Sequence, residues 1–301
     1  MSRPDIRGYL DEKRRLVEAA LLRYIPTENP PLADHVRAMR YSLLAGGKRV
    51  RPILCLAAAE AAGDETFSPE LVLPCACALE CIHTYSLIHD DLPAMDNDEL
   101  RRGQPTNPVV FGEAAAILAG DGLLTLAFEL LSDPALTAVP AERSLRVIHL
   151  IARAAGPAGM VGGQVLDLAA EGRPVSFAEL RAIHSRKTGA LITASVEAGA
   201  LLAGADPAGL AALTRYGEGI GLAFQIVDDL LNVEGSAEQL GKAAGSDAAR
   251  HKATYPAFFG VEETRKKAAE AVDMALEALK PFDRKADPLR DLARYILERK
   301  R

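Results

Sequence analysis

The chain has 301 residues, 49% of them hydrophobic, which is enough for a sizeable buried core. Lys and Arg total 35 against 41 Asp and Glu, a formal charge of −6, which excludes a general nucleic-acid-binding surface; any anionic ligand must be held locally, by metal ions or a few placed basic side chains. No stretch approaches 18 uninterrupted strongly apolar residues, so stable membrane insertion is not expected, and the start Met1-Ser2-Arg3-Pro4-Asp5 lacks the charged and apolar regions of a secretory signal, which makes the cytoplasm the expected location.

Ala, Leu, Glu and Arg dominate long segments, β-branched alternation is scarce, and Gly or Pro punctuates at loop-like intervals, which predicts an all-α protein with no convincing strand. The expected helices run over residues 5–23, 32–44, 50–62, 69–90, 113–131, 140–155, 176–203, 207–233, 262–280 and 287–299. No composition shift, short repeat or low-complexity segment divides the chain. Residues 1–301 therefore read as one helical domain, an antiparallel bundle with its site between long central helices.

Between the second and third helices, Gly46-Gly47-Lys48-Arg49-Val50-Arg51-Pro52 is a flexible turn with three cations leading into a helix. It is either an anion site or a solvated basic loop. Cys55, Cys75, Cys77 and Cys81 match no common zinc spacing and read as small buried hydrophobes.

Residues 71–88 are apolar nearly all round, which suits a buried helix, and that helix ends in Asp90 and Asp91. Asp96, Asp98 and Glu99 follow, then Arg101 and Arg102. Acids at this density repel one another unless hard cations lie between them, and Mg²⁺ prefers such oxygens together with substrate phosphates. The arginines would supply forks for the remaining phosphate oxygens. His83, two turns before Asp90 on nearly the same face, is either a core histidine or a ligand.

Further along, Gly159-Met160-Val161-Gly162-Gly163-Gln164-Val165-Leu166-Asp167 puts glycines into helical sequence, which implies close helix approach; Gln164 and Asp167 share a face suited to a packing hydrogen bond or to a polar cavity wall. Arg186-Lys187-Thr188-Gly189 predicts a local unwinding that would offer carbonyls and a hydroxyl to a bound group. In the second acidic cluster, Gln225, Asp228, Asp229 and Asn232 fall on one stripe of an apolar helix. Lys242 and Lys252 then lie in a glycine-containing loop, either covering bound phosphates or simply solvated.

Taken in order, these motifs resemble the trans-isoprenyl diphosphate synthases, specifically the short-chain bacterial farnesyl and geranylgeranyl diphosphate synthases. The resemblance runs from Gly46-Gly47-Lys48-Arg49 through both acidic motifs to Lys252-Ala253-Thr254-Tyr255-Pro256. It implies a helical bundle around a deep apolar cavity, a homodimer, and a cofactor set of about three Mg²⁺ ions per site. Asp90, Asp91 and Asp96 match the family's first motif and Asp228, Asp229 and Asn232 its second, with Asp90, Asp96 and Asp228 implied as the metal ligands. Arg101, Lys187, Gln225, Lys242 and Lys252 match its allylic-diphosphate ligands, and Lys48, Arg51, His83 and Arg102 its isopentenyl diphosphate site. The carbonyl of Lys187, the hydroxyl of Thr188 and the amide of Gln225 are implied to stabilise the allylic cation.

Tyr85 and Ser86, five and four residues before the first motif, are implied to limit chain length, and Tyr85 beside a small neighbour favours farnesyl over geranylgeranyl diphosphate as product. Asn232 departs from the more usual Asp, and an amide is a poorer Mg²⁺ ligand. Two readings from other classes compete. A metal phosphohydrolase of the helical HD class would use His83, His89 and Asp90; a non-catalytic prenyltransferase partner subunit would only bind. A terpene cyclase, a closer cousin, would not need the isopentenyl diphosphate site.

Overall fold

The computed structural model describes residues 6–64, 67–136, 138–234 and 253–298. Lys242 and Lys252, expected as diphosphate ligands, lie outside the described residues. Helices α1 (Ile6–Tyr24), α2 (Ala33–Leu43) and α3 (Val50–Ala62) lead to a 3₁₀ turn (Pro69–Leu71) and α4 (Leu73–Asp90). A two-residue hairpin follows, β1 (Leu100–Arg101) and β2 (Gln104–Pro105), then α5 (Asn107–Phe111), α6 (Glu113–Ser132), α7 (Ala141–Ala155) and α8 (Met160–Ala170). Helix α9 (Phe177–His184) passes through a π turn (Ser185–Gly189) into α10 (Ala190–Ala203). The chain closes with α11 (Pro207–Glu234), α12 (Tyr255–Ala278), a 3₁₀ turn (Arg284–Ala286) and α13 (Asp287–Glu298).

The helical reading is borne out, with differences of physical origin. The expected helix over 69–90 breaks at Val72, where Pro74 in the first turn of α4 has no N–H to continue the preceding turn. Helix α8 lies outside the expected ranges because Gly162 and Gly163 lower its helix propensity; packing, not propensity, holds it. Helix α12 starts at Tyr255, seven residues before its expected start at 262, and carries Gly260 at φ 73° as a kink inside it. The hairpin escaped detection because each strand is two residues long and cannot alternate; its turn, Arg102-Gly103, has φ of 55° and 77°, the left-handed pair that closes tight hairpins.

Two apolar clusters form the core. One surrounds α4 and includes Leu79, Ile82, Tyr85, Leu123 and Ile151; the other surrounds α11 and includes Tyr216, Ile220, Val272 and Leu289. Helices α3 and α10 belong to both: Cys55, Leu56, Leu191 and Ala198 face the first cluster, whereas Ile53, Leu54, Ile192 and Val196 face the second. This shared pair therefore forms a wall with α4 on one side and α11 on the other, and the acidic motifs ride on those two flanking helices. All four cysteines are buried free thiols within this core. Burial pushes the Cys81 thiol up to about 12, so it behaves as an apolar filler.

Helix α6 is apolar along much of its length. Within its 20 residues an 18-residue stretch has a mean hydropathy of 1.7, long and apolar enough by composition to cross a bilayer, although Asp121 and Glu129 interrupt it. One face of α6 packs on α4; Ile117 and Leu118 on another remain exposed.

Candidate active site

Asp90 is the last residue of α4, and the chain then folds back so that the N–H of Asp96 donates to the Asp90 carbonyl at 2.8 Å. Asn97, at φ 52°, donates to the Leu92 carbonyl at 3.1 Å and completes this loop. Asp90 and Asp96 thus stand beside each other at the end of a buried helix. Burial raises the Asp90 carboxyl above the ordinary range, the Lys187 ammonium opposes that rise, and Asp96 adds to it. Such a pair is what a hard cation relieves.

Asp91 points elsewhere. Only 4% exposed, it takes a bidentate grip from Arg101, whose Nη2 lies 2.6 Å from Oδ1 and whose Nε lies 2.8 and 2.9 Å from the two oxygens. The β1 strand thereby aims Arg101 back at the end of α4.

The second acidic pair divides in the same way. Asp229, also 4% exposed, accepts the N–H of Tyr255 at 2.8 Å through Oδ2 and the Nε2 of Gln225 at 3.1 Å through Oδ1. Thr254 gives α12 no side-chain cap, so Asp229 supplies the acceptor for the first orphan donor of that helix. Asp228 lies instead within electrostatic reach of Arg51 on α3.

The predicted unwinding at residues 186–189 is a π turn, a widened loop of helix. It is clasped from two sides. A Cβ on Gly163 of α8 would lie 2.2 Å from the Lys187 nitrogen, and one on Gly221 of α11 would lie 3.1 Å from the Gly189 Cα. The close approach expected of the α8 glycines is therefore made to this turn. Lys187 Nζ binds Asp167 at 2.7 Å, one turn past Gln164, and both polar atoms of the Gln164 amide are buried without a protein partner. Behind the turn, His184 stacks on Tyr255 at 5.7 Å, and burial lowers its imidazole to about 4. At neutral pH it is uncharged, so its 4.0 Å approach to Asp229 is a contact and not an ion pair.

Close to the acids lies a cluster of opposite sign. Arg49, at φ 52° just before α3, is buried and spends its charge on Glu80 at 2.7 Å and the Leu43 carbonyl at 2.9 Å. Arg51 is lowered by burial, with only Glu80 and Asp228 opposing, and its Nε has no partner. Arg102 donates to the Gly46 carbonyl, and its guanidinium lies where a Cβ on Gly47 would come within 2.7 Å. The glycine turn is thus held by Arg102 and requires glycine at 47, where φ is also positive at 136°. Burial lowers the His83 imidazole well below its usual value, and Arg51, Arg102, Arg101 and Arg49 push it the same way. His83 therefore sides with this basic pocket and not with the acids. Lys48 is exposed at its rim.

Tyr85 is 6% exposed and meets His89 edge-on at 5.6 Å, while Ser86 donates to the His83 carbonyl of its own helix at 2.8 Å. His89 itself turns away from Asp90 to the Ile117 carbonyl of α6, 3.1 Å from Nε2. This withdraws one of the histidines that the phosphohydrolase reading requires.

The structure thus brings Asp90, Asp96, Arg101 and Lys187 into one electrostatic neighbourhood, and Arg51, His83 and Arg102 into another. Among the described residues, no three His, Cys, Asp or Glu side chains enclose a metal ion by themselves. The adjacent carboxylates of Asp90 and Asp96 are the donor type that Mg²⁺ takes, one or two at a time, with water and substrate phosphate completing its shell. Sequence reasoning missed the anchoring roles of Asp91, Asp229 and Glu80, because their partners are distant in the chain.

A sequence model of the polyprenyl synthetase family matches residues 34–288. The chain is 50% identical over 292 residues to a geranylgeranyl diphosphate synthase of Cyanophora paradoxa, covering 97% of this chain and 95% of that one. It is 49% identical over 283 residues to a farnesyl diphosphate synthase of Geobacillus stearothermophilus, covering 94% of each. The crystal structure of an FPP/GFPP synthase from Zymomonas mobilis, without ligand, superimposes with a TM-score of 0.86 at 38% identity, over 97% of this chain and 98% of that one. Family match, relatives and fold agree with the order of the motifs: the chain belongs to the polyprenyl synthetase family and is a prenyltransferase of the trans-prenyl diphosphate synthase kind.

Proposed function

We propose that this synthase joins isopentenyl diphosphate to dimethylallyl and geranyl diphosphates, head to tail, and that farnesyl diphosphate is its main product. The observation that carries this reading is the pairing of two subsites of opposite sign. Asp90 and Asp96 stand together under the charge of Lys187, and beside them Arg51 and Arg102 cluster around His83, both within reach of Glu80, which Arg49 already occupies. One diphosphate needs metal ions between itself and the acids; the other can be bound by the basic pocket directly.

Mg²⁺ ions, when bound by Asp90, Asp96 and Asp228, supply the charge that makes pyrophosphate a good leaving group. Arg101, held by Asp91, presents its free edge to the same diphosphate, and Lys187 shares in neutralising it. Lys48, Arg51, His83 and Arg102 hold the isopentenyl diphosphate with its double bond toward the allylic carbon. As the C–O bond ionises, the carbonyl of Lys187, the hydroxyl of Thr188 and the amide of Gln225 face the delocalised cation, and the apolar residues of α4 exclude water that would quench it. The new carbon–carbon bond forms by attack of the double bond, and the released pyrophosphate takes the final proton.

The fifteen-carbon product rests on Tyr85, buried below Asp90 with a small Ser86 beside it. Relatives of near-equal identity carry different product names, so overall similarity does not decide between farnesyl and geranylgeranyl diphosphate. A homodimer is supported by the apolar side chains left exposed on α5, α6 and α7: Val109, Val110, Ile117, Leu118 and Leu145. The four free buried thiols suit a reducing compartment such as the cytoplasm.

The test is a Mg²⁺-dependent incubation with isopentenyl and dimethylallyl diphosphates and chain-length analysis of the products. A dominant fifteen-carbon product supports the reading, and a twenty-carbon product overturns the chain-length assignment alone. No elongation from any allylic starter overturns the substrates. In the same assay Asp90→Asn and Asp228→Asn lose turnover by orders of magnitude; in both variants, thermal stabilisation by Mg²⁺ with pyrophosphate also falls.

A further inference from the structure

Gln225 and Asp229 stand one helical turn apart on α11, with Gln225 Nε2 donating to Asp229 Oδ1 at 3.1 Å. An ionised carboxylate only accepts hydrogen bonds, so this contact settles which end of the amide is which: the NH₂ faces Asp229 and the carbonyl oxygen faces away. The carboxylate is held in turn. Its other oxygen, Oδ2, accepts the Tyr255 N–H at 2.8 Å, and Asp229 is only 4% exposed.

The direction in which the amide oxygen is turned matters because of where Gln225 lies. One turn earlier on the same face, Gly221 abuts Gly189, the last residue of the π turn. Gln225 therefore continues the face of α11 that looks onto the turn carrying Lys187 and Thr188. An amide oxygen is the negative end of its dipole. Turned toward a developing carbocation it stabilises charge; reversed, it would present two N–H hydrogens to that charge and oppose it.

We propose that Asp229 is a positioning residue and not a metal ligand: it holds the Gln225 amide with its oxygen toward the allylic cation, anchored by the first backbone N–H of α12. The inference rests on the reading that Gln225 faces the cation. It separates the two acids of the second motif by task, Asp228 serving the metal and Asp229 the orientation of an uncharged dipole. It also makes the start of α12 part of the catalytic geometry, since the Tyr255 N–H fixes the carboxylate that fixes the amide.

The experiment compares the full-length wild-type chain, Asp229→Asn, Gln225→Met and the double variant. It measures kcat, KM for geranyl and isopentenyl diphosphates, Mg²⁺ half-saturation and thermal unfolding. In Asp229→Asn the new carbonyl keeps the Tyr255 N–H while the new NH₂ faces Gln225 and reverses its amide. The expected loss in kcat is about 100-fold, the scale of one misdirected transition-state contact, with both KM values and Mg²⁺ half-saturation within about twofold of wild type. Gln225→Met, which has no dipole instead of a reversed one, loses about 10-fold. In the Gln225→Met background, Asp229→Asn costs less than about twofold, because the residue it acts through is gone.

A several-fold rise in Mg²⁺ half-saturation in Asp229→Asn overturns the proposal and makes Asp229 a metal ligand, and an equal loss in both backgrounds overturns it by showing that Asp229 does not act through Gln225. If Gln225→Met keeps wild-type kcat, the reading of Gln225 itself fails, and the proposal with it. Should Asp229→Asn not fold, Asp229→Ser, whose hydroxyl still accepts the Tyr255 N–H but leaves the amide unheld, provides the same two-background comparison.

Discussion

Arg101 holds Asp91 through two donors, with Nη2 2.6 Å from Oδ1 and Nε within 2.9 Å of both oxygens, so the second acid of the first motif is occupied by the guanidinium. Asp229 is occupied in the corresponding way by Gln225 and the Tyr255 N–H. In each pair the second acid therefore aligns a neighbour.

Asp91→Ala removes the anchor of Arg101 while leaving Asp90 and Asp96 in place. The buried pair loses one partner, and stability falls by about 3 kcal/mol. KM for the allylic diphosphate rises about 10-fold, on the scale of one charge-assisted contact, and KM for isopentenyl diphosphate changes little. Steady-state kinetics with each substrate varied in turn, alongside urea unfolding, separates the two effects. Arg101→Lys behaves similarly in KM, because an ammonium cannot grip a carboxylate with two parallel bonds.

Gln164 carries two buried amide atoms without protein partners, on the face of α8 that meets the π turn. Methionine has nearly the same shape and no such atoms. Gln164→Met therefore unfolds at higher urea, with a gain of about 1 kcal/mol, and a parallel fall in kcat would show that the amide also serves the polar wall of the site. A variant that is stabilised and fully active would assign Gln164 to the core alone.

His184 gives the protein an acid-side stability slope. Its folded value is lowered by burial to about 4 from an ordinary 6.5; Asp167 opposes the shift and Lys187 adds to it. Between these values the unfolded chain binds the proton and the folded chain does not, so stability falls as pH drops from about 6.5 to about 4. The loss is on the order of 3 kcal/mol and levels off below the folded value. Urea unfolding across this range checks it, and His184→Phe, which keeps a ring against Tyr255, flattens that part of the slope.

Tyr85→Ala opens the helix below Asp90. Products shift from fifteen toward twenty carbons, and stability drops by about 3 kcal/mol because a buried ring is deleted. Radiolabelled product analysis at matched folded fraction reads the first effect apart from the second.

Most of the helices and both acidic motifs were legible in the sequence, since period-3.6 patterning and the stacking of acids at the ends of apolar segments are local signals. The resemblance then identified the family from the order of the motifs. The tertiary structure decided what each side chain in those motifs touches. Asp91 finds Arg101 ten residues on, Asp229 finds the N–H of Tyr255 twenty-six residues on, and Gly46 meets Arg102 across fifty-six. The hairpin and α8 were hidden for the same reason, being held by packing where their own sequence offers little propensity. A local pattern records which face of a helix is polar; only the packed fold determines which partner each of two adjacent aspartates meets, because that choice is made by backbone and guanidinium groups arriving from elsewhere in the chain.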